Sequence, residues 1–278
     1  MGEDRMKAHI KSGWGRTVRH FPVIAILFLY QLLWGFFIVR AVESVIVPLL
    51  LRYPDVLASD GAVQLFLIEA QFQIMKTDLL RPYIWMLAGL FGMRMLLTPL
   101  INAGLFHSLH HAADGGGTRF FAGIRAAWKP VSAIYAAELV LLFAPLIWLV
   151  PLVSRALAES ASWATLGWAV IPYALGWLLW CAAIRLLSLG LQFGAVSGER
   201  FPGSVLLAAR SFLPAAGVTA AMWGIGALVG FASSAVSMVW AGLFALILHQ
   251  AHHFIRTWMK VWTYASLLET WQSKRGQA

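Results

Sequence analysis

The chain is a succession of long apolar runs bounded by short polar segments, and the runs hold continuous rather than alternating apolar residues. A helix needs about 20 such residues to cross a bilayer, whereas the strands of a transmembrane barrel alternate apolar and polar positions. The pattern predicts an all-α, polytopic integral membrane protein with six transmembrane helices, kinked at Pro99, Pro145 and Pro172. The six runs are Pro22–Val39, Tyr83–Phe106, Val131–Val153, Trp163–Ile184, Pro214–Phe231 and Ala235–Leu248, the last continuing as a helix into the C-terminal tail.

Similar amphipathic segments precede the first, third and fifth runs. Each has an Arg, an aromatic residue and a Pro at the membrane entry, where Arg binds phosphates, the ring lies among headgroups and Pro fits a first helical turn. We expect three hairpins, each preceded by a cytoplasmic interfacial amphipathic helix, in a single membrane domain of residues 1–278. Its repeat units span approximately 5–110, 115–196 and 200–272. Arg185 follows a span-length run and can snorkel to the interface, so the predicted interfacial anchors are Arg19, Arg125, Arg210 and Arg185.

The longest connection, residues 53–82, contains a helix-start signal at Ser59–Asp60. Apolar residues then recur at helical spacing at Val63, Phe66, Leu67, Ala70 and Ile74. We expect an amphipathic helix on the outer membrane surface, packed as a cap over the bundle. Partner binding or gating is the alternative role.

Composition and charge place the predicted helices in a membrane and orient them. Apolar residues make up 60% of the 278 residues and charged residues only 12%, against about 25% in soluble domains. A formal charge of +9 would suggest nucleic acid in a soluble protein, but most of the 21 Lys and Arg residues flank one side of the predicted bundle. The positive-inside rule makes that side, with both termini, cytoplasmic. We expect a protein of the cytoplasmic (plasma) membrane whose partners are the phospholipid bilayer and its anionic lipids, and not nucleic acid.

Two motifs carry a resemblance to a family. The segment before the third run reads F-x-x-G-x-R…P, from Phe120 to Pro130, and the segment before the fifth reads A-x-R-S-F-L-P, ending at Pro214. With the six-span layout, they resemble bacterial inner-membrane proteins of unknown function related to the membrane domain found N-terminal to some glycerophosphodiester phosphodiesterases. The resemblance implies the fold. We expect no phosphodiesterase domain, because the sequence ends at Ala278, and no catalytic residue carries over.

Six of the eight histidines lie in two stretches of the form H-x-x-H-H. Histidines four residues apart share a helix face, so two neighbouring helices would offer four imidazoles to Zn or Cu. The alternative is that imidazoles at helix ends meet lipid phosphates and last-turn carbonyls. A zinc hydrolase would lack its general base, since no H-E-x-x-H motif is present. The candidate metal ligands are His107, His110, His111, His249, His252 and His253.

Arg94 carries the most costly charge of the chain, because it lies near the centre of the second run, where an unpaired charge is strongly disfavoured. Glu138, about two turns into the third run, is its natural partner. We therefore expect an Arg94–Glu138 pair inside the bundle. Such a pair belongs either to a substrate or ion pathway or to a structural tie between helices.

These patterns lead to one functional prediction and one alternative. The prediction is a non-enzymatic membrane protein, transporter-like or permease-like, or a membrane scaffold that binds lipids and protein partners. The alternative is an intramembrane metal-binding protein or metalloenzyme that uses both histidine clusters. The deciding observation is whether the two clusters meet.

Overall fold

A computed structural model of the chain describes residues 2–52, 81–111, 116–159, 163–239 and 243–276. Within those ranges the chain is helical apart from short turns and contains no strand, which confirms the all-helical prediction. The helices found there are α1 (Gly2–Arg19), α2 (Phe21–Arg52), α3 (Arg81–His110), α4 (Gly116–Phe143), α5 (Leu146–Glu159), α6 (Trp163–Val196), α7 (Phe201–Val239) and α8 (Leu243–Arg275).

Five stretches of the described residues are long and apolar enough to cross a membrane, and they overlap the first five predicted runs. They have the length and composition of a multi-pass membrane protein. The sixth predicted run, Ala235–Leu248, includes residues 240–242, which lie outside the described residues, as does the surface helix predicted after Ser59. The five stretches are Phe21–Ser44, Tyr83–His110, Arg119–Ala156, Thr165–Val196 and Phe201–Val236.

Proline interrupts one of the predicted spans and leaves two others continuous. A turn at Ala144–Pro145 separates α4 from α5, so the third run comprises two helices. Pro has no N–H to donate to the preceding turn, and the new helix starts where the Leu149 amide donates to the Pro145 carbonyl at 3.0 Å. Pro99 and Pro172, in contrast, lie inside α3 and α6.

The predicted interfacial segments differ in how they join the spans. α1 is a separate helix, divided from α2 by a turn at His20. The segments before Pro130 and Pro214 instead form the first turns of α4 and α7, which continue through both prolines. The φ angle of proline fits a helix, so each of these positions loses one backbone hydrogen bond without ending the helix.

The larger of two compact units contains Met1–Ala25 and Pro99–Ala278, and the second half of α8 lies in its core. Buried apolar residues recur there at helical spacing, at Val261, Ala265, Leu268 and Trp271. Buried hydroxyls on the same helix each donate to the carbonyl four residues earlier, which satisfies them within the helix; they belong to Thr257, Ser266 and Thr270. The segment that the charge pattern predicts as a cytoplasmic tail is therefore enclosed by protein.

Small residues bring the helices of this unit into close contact. An added Cβ on Gly13 of α1 would lie 2.8 Å from the backbone nitrogen of Ser266 on α8. A Cβ on Gly190 of α6 would likewise lie 2.8 Å from the Cβ of Ala208 on α7. Such contacts let helix backbones approach closely, as small residues do between membrane helices. They fix the positions of α6 and α8, which carry much of the site described below.

The smaller unit, Ile26–Thr98, contains most of α2 and the first part of α3 in its described residues. Arg40 and Glu43, three residues apart on α2, form an exposed ion pair with a 3.3 Å contact. Arg94 of α3 is exposed, and its carbonyl accepts a 2.7 Å hydrogen bond from the Thr98 hydroxyl. The described part of this unit therefore holds no buried charge.

Candidate functional site

The carboxylate of Glu138 is a buried charge on the apolar helix α4, with only 2% of its side chain exposed. Its Oε1 accepts a hydrogen bond from Nη1 of Arg185 at 2.5 Å, and its Oε2 accepts one from Oγ of Ser188 at 2.5 Å. Nε2 of Gln192 lies 3.4 Å from the same Oε2. Both carboxylate oxygens therefore have donors, which offsets the cost of removing the charge from water.

Spacing along α6 explains why three donors reach one carboxylate. Arg185, Ser188 and Gln192 are separated by three and four residues, which places them on a single helix face. Ser188 and Gln192 are buried, and Nε2 of Gln192 donates to Oγ of Ser188 at 2.9 Å. One face of α6 thus presents a cation, a hydroxyl and an amide to α4.

Two further helices extend this arrangement. Nδ2 of Asn102 on α3 donates to Oε1 of Gln192 at 3.4 Å, and Nη2 of Arg185 donates to the hydroxyl of Tyr264 on α8 at 3.2 Å. Phe106 of α3 packs edge-on against the Tyr264 ring, with 5.4 Å between centroids. Four helices therefore meet in one polar cluster, called the Glu138 network below, whose members are Asn102, Glu138, Arg185, Ser188, Gln192 and Tyr264.

Cations surround the buried phenol of Tyr264. Burial by itself raises the pKa of a phenol, but the ammonium of Lys260 and the guanidinium of Arg185 favour the phenolate. The net effect holds the pKa of Tyr264 below its usual 10.0. Nζ of Lys260 lies 5.8 Å from the centroid of the Tyr264 ring. The phenol therefore has one cation beside it on α8 and another, Arg185, on α6.

A cleft of about 580 Å³ opens between α4 and α6 and reaches Glu138. Its walls are mainly apolar, and its polar lining residues are Glu138, Ser188, Glu199 and Ser204. Glu199 forms an ion pair with Arg275 of α8. Ligand sites in proteins are typically apolar clefts of this size with a few polar groups. The Glu138 network therefore borders an opening large enough for a small molecule.

The ion-pair partner of Glu138 corrects the sequence prediction. The sequence predicts Arg94 in that role and Arg185 as an interfacial anchor, but Arg185 pairs with Glu138, and Arg94 is exposed in the smaller unit. The physical reason is the length of α6, which continues about three turns beyond Arg185 and so places it within the helix. The Arg185, Ser188 and Gln192 spacing, a polar stripe in an apolar helix, is the signal that identifies this face.

The three remaining predicted anchors are exposed side chains of α1, α4 and α7, namely Arg19, Arg125 and Arg210. Two of the aromatic residues that accompany them, Phe21 and Trp128, are exposed as well. Contact with lipid headgroups requires such exposure. Their role as anchors stays a prediction.

The first histidine cluster lies at the end of α3. The rings of His107 and His111 are 4.3 Å apart between centroids, and those of His110 and His111 are 5.0 Å apart. Nε2 of Gln272 on α8 lies 3.1 Å from Nδ1 of His110, which accepts its hydrogen bond. Nδ1 of His111 lies 3.1 Å from the carbonyl of His107. The imidazoles of His110 and His111 thus have hydrogen-bond partners inside the protein, at the C-terminal end of α3.

The second cluster lies far from the first. His252 and His253 are on the same continuous helix as Gln272, twenty residues before it, and a rise of 1.5 Å per residue separates His252 from Gln272 by about 30 Å. Because His110 is bonded to Gln272, the two clusters do not form a shared site of four imidazoles. The side chain of His249 lies outside the described residues. Among the residues that are described, no group of three His, Cys, Asp or Glu is arranged to hold a metal ion.

His20, which the sequence patterns do not mark, is a fully buried histidine that caps a helix. Its Nδ1 lies 2.7 Å from the Arg16 carbonyl in the last turn of α1, and its Nε2 lies 3.0 Å from the Ser108 carbonyl in the last turn of α3. Nη1 of Arg16 adds a 3.3 Å bond to the Leu109 carbonyl. Carbonyls only accept, so a ring nitrogen of His20 that carries a hydrogen donates it to the carbonyl it faces.

Comparison with protein-family models, curated proteins and solved structures finds no match for the chain. The resemblance to bacterial membrane proteins related to the phosphodiesterase membrane domain therefore stays a prediction. The fold and the site define a class all the same: the described part of the chain is helical, with five potential membrane spans and a charge network around a buried carboxylate.

Proposed function

We propose that the protein is a non-enzymatic, transporter-like or permease-like protein of the cytoplasmic membrane. Its substrate pathway follows the cleft between α4 and α6 to the Glu138 network. The observation that carries this proposal is the ion pair of the buried Glu138 with the half-buried Arg185, which joins two potential spans and borders a cleft of about 580 Å³.

The cost of intramembrane charge supports a pathway. Charged residues inside spans are rare, face the bundle interior or a wet cavity, and commonly mark substrate or ion routes. Glu138 fits this description, because it is buried among helices yet lines the cleft. Gly190 of α6 lies directly against Ala208 of α7, so close contact between helices of this unit occurs without a charged network.

A membrane scaffold is the second candidate function, and the connectivity of the network favours it. Asn102, Glu138, Gln192 and Tyr264 join α3, α4, α6 and α8 through side-chain hydrogen bonds and ring contacts. A purely structural tie would use the same bonds but would remain closed to water. Access of water to the cleft therefore separates the two functions.

The orientation of the chain is part of the proposal. The exposed basic side chains of α1, α4 and α7, those of Arg19, Arg125 and Arg210, would face the cytoplasm and contact anionic lipids. Both termini would then be cytoplasmic.

Thiol labelling tests the pathway. In a Cys181→Ala background, which removes the native thiol, Leu191→Cys places a thiol in the cleft and Leu179→Cys places one on the outside of the same helix. Leu191 lines the cleft, whereas 73% of Leu179 is exposed to the surroundings of the bundle. A charged, membrane-impermeant thiol reagent needs water to react, so position 191 should be labelled in membrane vesicles and position 179 should not.

The contrary result is equally specific. If position 191 stays unlabelled in folded protein while both positions react after denaturation, the cleft is dry. The Glu138 network is then a structural tie, and the scaffold function replaces transport.

A further inference from the structure

We infer that the cleft between α4 and α6 binds lipophilic cations, molecules with an apolar body and a positively charged amine or onium centre. This inference rests on the proposed function, since it names the substrate class of that pathway. It follows from the charge of the cleft lining, the shape of the walls and the exposure of Arg185.

The charge of the lining selects a cation. Glu138 and Glu199 are the charged residues that line the cleft, and both are acidic. Their partners Arg185 and Arg275 reach them from outside this lining. An anion entering the cleft would lie nearer to the two carboxylates than to their guanidinium partners, so repulsion would outweigh attraction. A cation would meet the opposite sign.

The shape of the cleft suits an apolar body. Ala133 and Ala137 on α4 and Ala195 on α6 leave space between the helices, and larger side chains such as Leu187 and Leu191 form the walls. The volume of about 580 Å³ lies within the range of small-molecule sites. Apolar surface buried against these walls supplies binding energy, and Glu138 supplies selection by charge.

Because Arg185 is partly exposed, a bound cation can replace its guanidinium as the partner of Glu138. Arg185 has 35% of its side chain exposed and also donates to the Tyr264 hydroxyl, so its guanidinium can withdraw from Glu138 and keep a partner. Ser188 and Gln192 continue to donate to the carboxylate in its absence. The carboxylate thus has one cationic partner before and after the exchange. Glu138 is thus the residue on which binding should depend.

Binding of tetraphenylphosphonium to the purified full-length chain in detergent tests the inference. We expect saturable binding that becomes at least about tenfold weaker in Glu138→Gln, because one partner of a buried charge contact is lost. Glu43→Gln is the matched control, since Glu43 is an exposed carboxylate in an ion pair outside the cleft. Tetraphenylborate, similar in size and opposite in charge, should fail to compete. Unchanged binding in Glu138→Gln, or equal competition by tetraphenylborate, would overturn the inference.

A second variant keeps the test decisive if Glu138→Gln does not fold. Leu191→Trp fills the cleft while leaving every member of the Glu138 network unchanged, and it should also abolish binding. Full affinity in a folded Leu191→Trp protein overturns the inference.

Failure of the cation inference differs from failure of the proposed pathway. Labelling at position 191 without tetraphenylphosphonium binding leaves a pathway for another substrate class. Binding without labelling at position 191 removes the pathway but leaves a cation site.

Discussion

Glu138 and Arg185 form an ion pair whose two halves differ in burial, with 2% of the carboxylate side chain and 35% of the guanidinium side chain exposed. Removing Arg185 leaves a nearly buried carboxylate with no countercharge, whereas removing Glu138 leaves a more exposed cation on a long, flexible stem. Arg185→Ala should therefore lower the free energy of unfolding by about 3–5 kcal/mol. Glu138→Ala should lower it by less, about 1–3 kcal/mol. Denaturant unfolding in detergent micelles measures both.

The exposed ion pair of Arg40 and Glu43 in the smaller unit is the control for this difference between Arg185 and Glu138. Arg40→Ala and Glu43→Ala should each change the free energy of unfolding by less than about 1 kcal/mol, since both side chains are exposed. Equal costs at Arg185 and Glu138, or a larger cost at Glu138, would contradict the burial argument.

Ser188 supplies the hydroxyl donor of the same carboxylate and also accepts from Gln192. Ser188→Ala removes both bonds and should destabilise the protein by about 1–2 kcal/mol, toward the upper end measured for bonds between membrane helices. Ser154→Ala is the control, because Ser154 is exposed and donates to the carbonyl of Pro151 three residues earlier on the same helix. It should change stability by less than about 0.5 kcal/mol. Thermal unfolding of the two variants in the same detergent measures both changes in stability. An equal loss of stability in the two variants would refute a special role for Ser188.

Substitution of two glycines on α1 distinguishes the effect of helix packing on stability from the effect of helix propensity. A Cβ on Gly13 would lie within 2.9 Å of the Ser266 backbone, which cannot move aside as a flexible side chain does, whereas a Cβ on Gly15 would meet nothing within 4 Å. Gly13→Ala should destabilise the protein by about 1–3 kcal/mol through overpacking. Gly15→Ala should be neutral or stabilising by up to about 1 kcal/mol, because Ala is the better helix former. Thermal unfolding followed by circular dichroism measures the stability of both variants. Unchanged stability in Gly13→Ala would show that α1 does not pack closely on α8 at Ser266.

His20 bonds the ends of α1 and α3 through both ring nitrogens. His20→Ala removes the ring from both helix-end carbonyls and opens a cavity, so the free energy of unfolding should fall by about 1–3 kcal/mol. His9→Ala on α1, where the histidine is only partly buried, should have a much smaller effect. Hydrogen exchange adds a local measurement: amides in the last turn of α3 should lose protection in the His20 variant alone. Unchanged protection there would argue against capping.

The helices could be predicted from the sequence because hydropathy over a span-length window depends on composition alone. Four of the five spanning stretches, such as Tyr83–His110, contain their predicted run completely. The break at Pro145 and the continuity at Pro99 could not be separated, because both prolines carry the same local signal and tertiary context decides between a break and a tolerated proline.

The partner of Glu138 could not be predicted for a different reason. Periodicity places Arg185, Ser188 and Gln192 on one face of α6, but it does not say which helix that face contacts. The prediction of Arg94 as the partner rests only on its central position in a run. The rotation of each helix about its axis depends on small contacts such as Gly190 against Ala208, which a hydropathy pattern does not contain.

The packing of α1 against α8 also has a consequence for the order of events during synthesis. Ser12 and Glu269, which are hydrogen-bonded at 2.7 Å, are 257 residues apart in the chain. At 5–20 residues per second, a ribosome needs roughly 13–50 s to make that length. Throughout this interval α1, with its Trp14 ring, has no surface of α8 to pack against. Packing of α1 against α8 therefore follows synthesis of all five potential spans of the described residues.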